Sequence, residues 1–192
     1  MKKIIINIGR QFGSGGKSVA DILGAKLGIP VYDKELLTKA AKDNGFSEIV
    51  FENSDEKKRN FFLSFNNGFG DDEVFKMQSH TIRDIASKGS AIIVGRCANY
   101  ILRDLDCCLN VFLTSPMEVR AKRAMEREGI AEDKVRDYIL KKEESRKDYY
   151  NYYTFGNWGV ASTYDLCVDS SLLGIEKTAD FIISFAKEAG KL

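Results

Sequence analysis

Short apolar runs rich in β-branched residues alternate with longer amphipathic segments along this chain. The first run covers residues 3–8, and similar runs cover residues 29–32, 90–94, 107–113 and 164–168. Continuous apolar runs of this length are typical of parallel strands that are covered on both faces. The pattern therefore predicts a parallel sheet of five strands.

The amphipathic segments repeat their apolar positions at helical spacing. They predict helices over residues 17–27, 34–42, 73–88, 116–128, 132–150 and 175–189. Asp33 is a suitable N-cap for the second of these helices. Strands that alternate with helices predict an α/β protein, with a five-stranded parallel sheet between two layers of helices.

One long stretch follows neither period. Over about residues 44–72, small polar residues, lysine and glycine are interleaved with phenylalanine. Such a mixture predicts an insertion or a helical lid rather than another strand and helix. The length of 192 residues fits one domain, so residues 1–192 are expected to form a single unit that carries this insertion.

The composition argues against several classes of function. Lysine and arginine number 29 and aspartate and glutamate number 28, so no long-range field attracts nucleic acid or an anionic membrane. No apolar run approaches the roughly 20 residues that span a bilayer, and no signal-peptide core follows the first residues. The cysteines form no C-x-x-C pair, which argues against zinc and a disulfide framework. We therefore expect a cytoplasmic protein that acts on small molecules.

The strongest chemical signal follows the first predicted strand. Residues 11–18 fit the phosphate-loop pattern G-x-x-x-x-G-K-[ST], except that Gln11 occupies the first glycine position. Backbone N–H groups of such a loop and the N-terminus of the next helix bind nucleotide phosphates. The predicted phosphate-binding residues are Gly13, Ser14, Gly15, Gly16, Lys17 and Ser18.

Two side chains of this loop have predicted roles in phosphoryl transfer from ATP. Lys17 is expected to neutralise the β- and γ-phosphate oxygens, and the Ser18 hydroxyl is expected to hold Mg²⁺. The alternative is a glycine-rich turn that only connects a strand to a helix. A dinucleotide-binding fold is disfavoured, because Ser18 occupies the position of its third glycine.

With the phosphate loop placed, nearly the whole chain resembles the cytidylate kinase-like family of nucleoside monophosphate kinases. The resemblance rests on residues 9–17, on Tyr-Asp-Lys-Glu-Leu at 32–36, on Val-Gly-Arg at 94–96 and on residues 149–166. It implies a phosphate-loop kinase fold with an acceptor-binding insertion at about residues 44–72 and a short lid at about residues 120–146. It also implies ATP as the phosphoryl donor and CMP or dCMP as the acceptor.

The resemblance assigns acceptor-side roles to two residues. Asp33 matches an aspartate on the acceptor side, and Arg96 matches an arginine that binds the acceptor phosphate. The position of Arg96 supports this role independently, because it follows a buried strand at the sheet edge where α/β proteins bind ligands. The alternative for Arg96 is a structural ion pair.

Further arginines are candidates for the transferring phosphoryl group. Arg120, Arg123 and Arg127 share one face of a predicted helix, and Arg146 matches an arginine late in the following helix. We assign catalytic roles to Arg123 and Arg127 and a substrate-binding role to Arg146. The alternative is a solvated basic face that neighbouring glutamates balance.

Three departures from the family pattern leave the acceptor open. Gln11 replaces a glycine, Cys97 stands where an aspartate is usual, and an aromatic segment at 149–158 replaces an arginine-bearing one. These aromatic residues can stack on a base, although such clusters more often pack on a core or a subunit. Two other functions therefore remain open, a kinase for another small acceptor and a nucleotide-binding regulatory module without turnover.

Overall fold

The computed structural model describes residues 2–43 and 70–192. Every strand pair in it is parallel, in the order β2-β3-β1-β4-β5, so the predicted five-stranded parallel sheet is confirmed. The strands are β1 (Ile5–Arg10), β2 (Val31–Tyr32), β3 (Ala91–Val94), β4 (Cys108–Thr114) and β5 (Leu166–Asp169). The first strand ends two residues later than predicted, so Arg10 belongs to β1.

The helices cover both faces of the sheet, as the alternation predicts. They are α1 (Gly16–Leu27), α2 (Lys34–Asp43), α3 (Gly70–Lys88), α4 (Ala98–Ile101), α5 (Met117–Glu128), α6 (Glu132–Thr154) and α7 (Ser170–Glu188), with a 3₁₀ turn at Ala161–Thr163. A non-helical residue, Gly174, interrupts α7 near its start. None of the helices in the described part of the chain is both long and apolar enough to cross a membrane.

Two differences from the predicted helices concern the site. Helix α3 begins at Gly70, so the last residues of the predicted insertion are helical, and its remainder lies outside the described residues. Helix α4 was not predicted, because four residues are too few to show a helical period. Three residues separate it from β3, and it places Asn99 at the edge of the sheet.

The central strand β1 separates two apolar cores. Ile6 and Ile8 are fully buried against α1 and α7. Ile5 is fully buried on the opposite face, among residues of α3, α4 and α6. Asn7 shares this second face, and its Nδ2 donates to Oδ1 of Asn110 on β4 at 2.9 Å. The buried strand thereby fixes the position of its last residue and of the loop that follows it.

The carboxyl ends of neighbouring strands carry the residues that the sequence singles out. β1 leads into the phosphate loop, and β3 leads into Gly95, Arg96 and Cys97. β4 lies beside β1 on the other side and leads into α5. Parallel α/β sheets bind ligands at this edge, so the fold brings the predicted donor and acceptor residues together.

Candidate active site

Two clefts open at the carboxyl edge of the sheet. The phosphate cleft, of about 200 Å³, is lined by the phosphate loop, Lys17, Asp33 and Arg127. The aromatic cleft, of about 290 Å³, is lined by residues that follow β3 and by aromatic side chains of α6 and the segment after it. Arg10, Lys34 and Arg146 line both clefts, so the two clefts meet at these three residues.

Side chains from outside the phosphate loop bind three of its carbonyl groups. The Phe12 carbonyl accepts from Arg120 Nη1 at 3.4 Å, and the Gly13 carbonyl accepts from Arg123 Nη1 at the same distance. The Ser14 carbonyl accepts from Ser170 Oγ at 2.6 Å. Carbonyl groups held in this way cannot face a phosphate, which leaves backbone N–H groups to do so.

Gly15 forms the turn between the phosphate loop and α1. Gly15 has a φ of 81°, in the left-handed region, and is the N-cap of α1. The first N–H groups of a helix have no partner within it. Gly15, Gly16 and Lys17 line the phosphate cleft, so these donors and the positive helix end lie where an anion would bind.

A buried ion pair joins the loop to α5 and α6. Nη1 of Arg120 lies 2.6 Å from Oε1 of Glu143, and the two side chains are only 7% and 15% exposed. The same glutamate oxygen accepts from the Phe12 N–H at 3.2 Å. One ion pair therefore holds both the N–H and the carbonyl of Phe12.

The glutamine at the first glycine position also stabilises the loop. Oε1 of Gln11 accepts from the backbone N–H of Ser115 at 3.1 Å, just after β4. The Gln11 carbonyl accepts from the hydroxyl of Ser14 at 2.9 Å. This departure from the phosphate-loop pattern thus ties the loop to the neighbouring strand.

Lys17 lies in the phosphate cleft with two carboxylates beside it. Its Nζ is 2.5 Å from Asp21 Oδ1 and 3.5 Å from Asp33 Oδ2. Partial burial lowers the pKa of Lys17, but the hydrogen bond and charge of Asp21, followed by Asp33, raise it more, so the net pKa is above its usual value. Lys17 therefore carries a positive charge at neutral pH.

Asp33 lies on the phosphate-loop side of the site. Its Oδ1 accepts from the backbone N–H groups of Glu35 and Leu36, both at 3.1 Å, so the predicted N-cap of α2 is confirmed. The carboxylate lines the phosphate cleft beside Lys17 and is absent from the lining of the aromatic cleft. Ser18 is exposed in the first turn of α1.

The predicted arginines occupy different positions around the loop. The guanidinium groups of Arg127 and Arg146 lie 5.5 and 5.3 Å from the centre of the Phe12 ring. Both side chains line the phosphate cleft. Arg123 lines neither cleft, and its Nη1 also donates to Ser170 Oγ at 3.2 Å.

Arg96 lies in the aromatic cleft on strained backbone. Gly95, Arg96 and Cys97 have φ angles of 78°, 57° and 57°, which costs non-glycine residues about 1–2 kcal/mol each. The Arg96 guanidinium lies 5.6 Å from the centre of the Tyr149 ring and forms no ion pair with another described residue. Strain of this kind at a strand end is typical of ligand-binding positions.

The aromatic segment of residues 149–158 divides between the cleft and the surface. Tyr149, Tyr150 and Trp158 line the aromatic cleft, where the hydroxyl of Tyr150 accepts from Asn99 Nδ2 at 2.9 Å. Phe155, in contrast, is 94% exposed. Only part of the segment is therefore placed to contact an acceptor.

Arg10 was not predicted from the sequence as a candidate site residue. It lines both clefts, and burial, the charge of Arg146 and then the charge of Arg96 lower its pKa. Arg146 Nη1 in turn donates to the Arg10 carbonyl at 3.2 Å. Its place in the sequence could have indicated it, because it ends a predicted buried strand and directly precedes the phosphate loop.

The parallel sheet and the phosphate loop together define a phosphate-loop kinase. Residues 5–172 match the model of the cytidylate kinase-like family, and the chain belongs to this family. A cytidylate kinase from Sulfolobus acidocaldarius is 29% identical over 175 residues, which are 89% of this chain and 87% of that protein. The chain is a nucleoside monophosphate kinase-like enzyme.

Solved structures agree with this fold. A protein of Eubacterium ventriosum, described as uncharacterized, superposes with a TM-score of 0.76 and 33% identity over 96% of this chain and 99% of that one. A shikimate kinase from Bacteroides thetaiotaomicron superposes with a TM-score of 0.60 at 14% identity, over 96% and 98% of the two chains. The second likeness is one of fold alone.

The ion pair that holds the loop gives a prediction about stability. Replacing Glu143 by alanine leaves Arg120 buried without its partner, which costs about 3–5 kcal/mol and lowers Tm by on the order of 10 °C. Thermal unfolding measures this loss. Glu118→Ala is the matched control, because its partner Arg136 and Glu118 itself are 64% and 73% exposed. Equal shifts in Tm for the two variants would contradict this role of Glu143.

Proposed function

We propose that this enzyme transfers the γ-phosphoryl group of ATP to CMP or dCMP. The observation that carries the proposal is the meeting of the phosphate cleft and the aromatic cleft at Arg10 and Arg146. A donor phosphate in one cleft and an acceptor phosphate in the other lie side by side in this arrangement. Phosphoryl transfer depends chiefly on such positioning and on neutralisation of charge.

The donor side is the phosphate loop. Its N–H groups and the N-terminus of α1 bind the β- and γ-phosphates, and Lys17 neutralises their charge. The bonds from Arg120, Arg123 and Ser170 to loop carbonyls support this role, because they hold the loop open for an anion before ATP arrives. Preorganised donors of this kind need no rearrangement during the reaction.

The acceptor side is the aromatic cleft. Arg96 and Arg146 bind the acceptor phosphate, and the aromatic side chains around Trp158 contact the nucleoside. A phosphate oxygen of the acceptor forms a bond to the γ-phosphorus while the bond from that phosphorus to the β–γ bridging oxygen breaks, and ADP leaves. The attacking oxygen is already an anion, so no side chain has to act as a base.

Arg127 and Arg123 act differently in this proposal. Arg127 lines the phosphate cleft and is placed to stabilise charge on the transferring phosphoryl group. Arg123 is a positioning residue, because it acts through the Gly13 carbonyl and does not line either cleft. Whether the segment of about residues 120–146 closes as a lid stays a prediction.

The residues near the phosphate loop fit a magnesium ion. Among the described residues, no three His, Cys, Asp or Glu side chains are grouped as a self-sufficient metal site. Mg²⁺ in kinases instead takes one or two protein oxygens and completes its coordination with phosphate oxygens and water. Ser18 offers a hydroxyl, and Asp33 offers a carboxylate beside Lys17. A bound Mg²⁺ would neutralise charge on the β- and γ-phosphates.

A kinase for another anionic acceptor is the second candidate. Of the described residues that line the aromatic cleft, none is an aspartate or a glutamate. Cys97 stands where the family pattern has an aspartate, and burial raises the pKa of its thiol to about 12, so it is uncharged at neutral pH. A carboxylate could accept a hydrogen bond from the amino group of cytosine, and none of these residues supplies one. The described residues of this cleft are therefore better suited to bind the acceptor's phosphate than to select cytosine as its base.

The first test is phosphoryl transfer from ATP with Mg²⁺ to CMP, dCMP, UMP, AMP and GMP, with products identified by chromatography. We expect CDP and dCDP, because the chain belongs to the cytidylate kinase-like family. Lys17→Ala is the matched control, and its kcat should fall by about 10²–10³-fold or more if the phosphate loop carries the reaction. ATP binding without transfer to any monophosphate would instead support a regulatory module.

The second test concerns Arg96. Its replacement by alanine should raise the KM for the monophosphate by about ten- to a hundredfold, since it removes charge-assisted hydrogen bonds to phosphate. The KM for ATP should stay the same. Steady-state kinetics with each substrate varied in turn measure this split. Arg103→Ala is the control, because Arg103 also lies over a tyrosine ring, at 4.3 Å, but outside both clefts. A change in the KM for ATP alone would place Arg96 on the donor side.

A further inference from the structure

The side chain of Arg10 spans the boundary between the two clefts. A Cβ atom on Gly16 would lie 2.8 Å from Arg10 Cγ, so the aliphatic stem of Arg10 passes directly over the first residue of α1. A Cβ atom on Gly95 would overlap with Arg10 Nη1, so the guanidinium group lies against the residue that follows β3. Arg10 therefore extends from the phosphate loop to the backbone that carries Arg96.

The charge around Arg10 is unbalanced. Arg10, Arg96 and Arg146 converge on the aromatic cleft, and Arg10 forms no ion pair with another described residue. The charges of Arg146 and Arg96 disfavour its charged form, whereas the charge of Asp33 favours it. A half-buried cation without an ionic partner is costly, and an anion that binds beside it offsets this cost.

We propose that Arg10 is a further binding residue for the acceptor, and that it binds the acceptor's phosphate group together with Arg96 and Arg146. The inference rests on the proposed function and names the chemistry of its acceptor site. The ligand is a phosphomonoester dianion, which can accept bidentate hydrogen bonds from more than one guanidinium group. From its position beside the phosphate loop, Arg10 also screens the repulsion between this dianion and the γ-phosphate.

A merely structural arginine would behave differently on replacement. Arg10→Gln removes a half-buried charge that two neighbouring arginines repel, so the variant should unfold at the same or a higher Tm than the wild type. Its affinity for a phosphate-bearing acceptor should fall. A structural arginine gives the opposite result, a lower Tm with an unchanged preference for phosphate.

The test separates binding of the phosphate group from binding of the nucleoside. CMP, cytidine and inorganic phosphate are titrated into the wild type, Arg10→Gln and Arg10→Lys by isothermal titration calorimetry. The fluorescence of Trp158, the single tryptophan of the chain, reports occupancy of the aromatic cleft. Arg103→Gln is the control, because Arg103 lies outside both clefts.

We expect Arg10→Gln to bind CMP about tenfold or more weakly than the wild type, while its affinity for cytidine is unchanged. Arg10→Lys keeps the charge but loses the planar fork, so its affinity for CMP should lie between the two. The KM for CMP should rise in the same order, with the KM for ATP unchanged. Arg10→Lys also keeps the test decisive if the glutamine variant does not fold.

Several outcomes overturn the inference. Wild-type affinity for CMP in both Arg10 variants would do so, and so would a loss of affinity for ATP alone. A wild type that binds no monophosphate would overturn both this inference and the proposed function. If the wild type binds CMP through Arg10 but transfers no phosphoryl group to it, the proposed function fails and the assignment of Arg10 stands.

Discussion

The orientation of the phosphate-loop backbone depends on the ion pair between Arg120 and Glu143. This pair holds both polar groups of Phe12, one through each partner. Because Arg120 belongs to α5 and Glu143 to α6, the two helices cannot shift without moving the loop. The packing of these two helices on each other and on Phe12 thereby helps to position the phosphate loop.

The same edge of the sheet concentrates positive charge at a cost to stability. Arg10, Arg96 and Arg146 share the aromatic cleft, and Arg96 is held on left-handed backbone. Neither feature stabilises the folded chain alone, because like charges repel and non-glycine residues disfavour that conformation. The proposed function offsets both costs, because the acceptor's phosphate binds there. In the proposed function, the site thus pairs a donor loop held by side chains of α5 and α7 with an acceptor cleft that an anion stabilises.

The sheet could be predicted from the sequence because its three inner strands, β1, β3 and β4, are apolar runs that are mostly buried. The phosphate loop was equally clear, since its residues are contiguous. The position of Arg123 was harder to predict, because helical spacing placed it beside Arg127 without showing that only Arg127 lines the phosphate cleft while Arg123 bonds to a loop carbonyl.

Contacts between distant segments explain the remaining differences. Arg10, Arg96 and Arg146 come from separate elements and meet only in the folded sheet, so no local pattern reveals Arg10 as their partner. The aromatic segment begins inside α6, where successive side chains point in different directions around the helix axis. Tyr150 therefore faces the cleft, while Tyr153 stacks on Phe75 with ring centres 4.0 Å apart.

The central claim is that donor and acceptor phosphates meet beside Arg10. A crystal structure with adenosine and cytidine joined through a chain of phosphates tests it most directly. The account predicts that this chain runs from the phosphate loop to Arg10, Arg96 and Arg146, with the cytidine beside Trp158. A cytidine bound outside the aromatic cleft, or a phosphate chain that avoids these arginines, would contradict it.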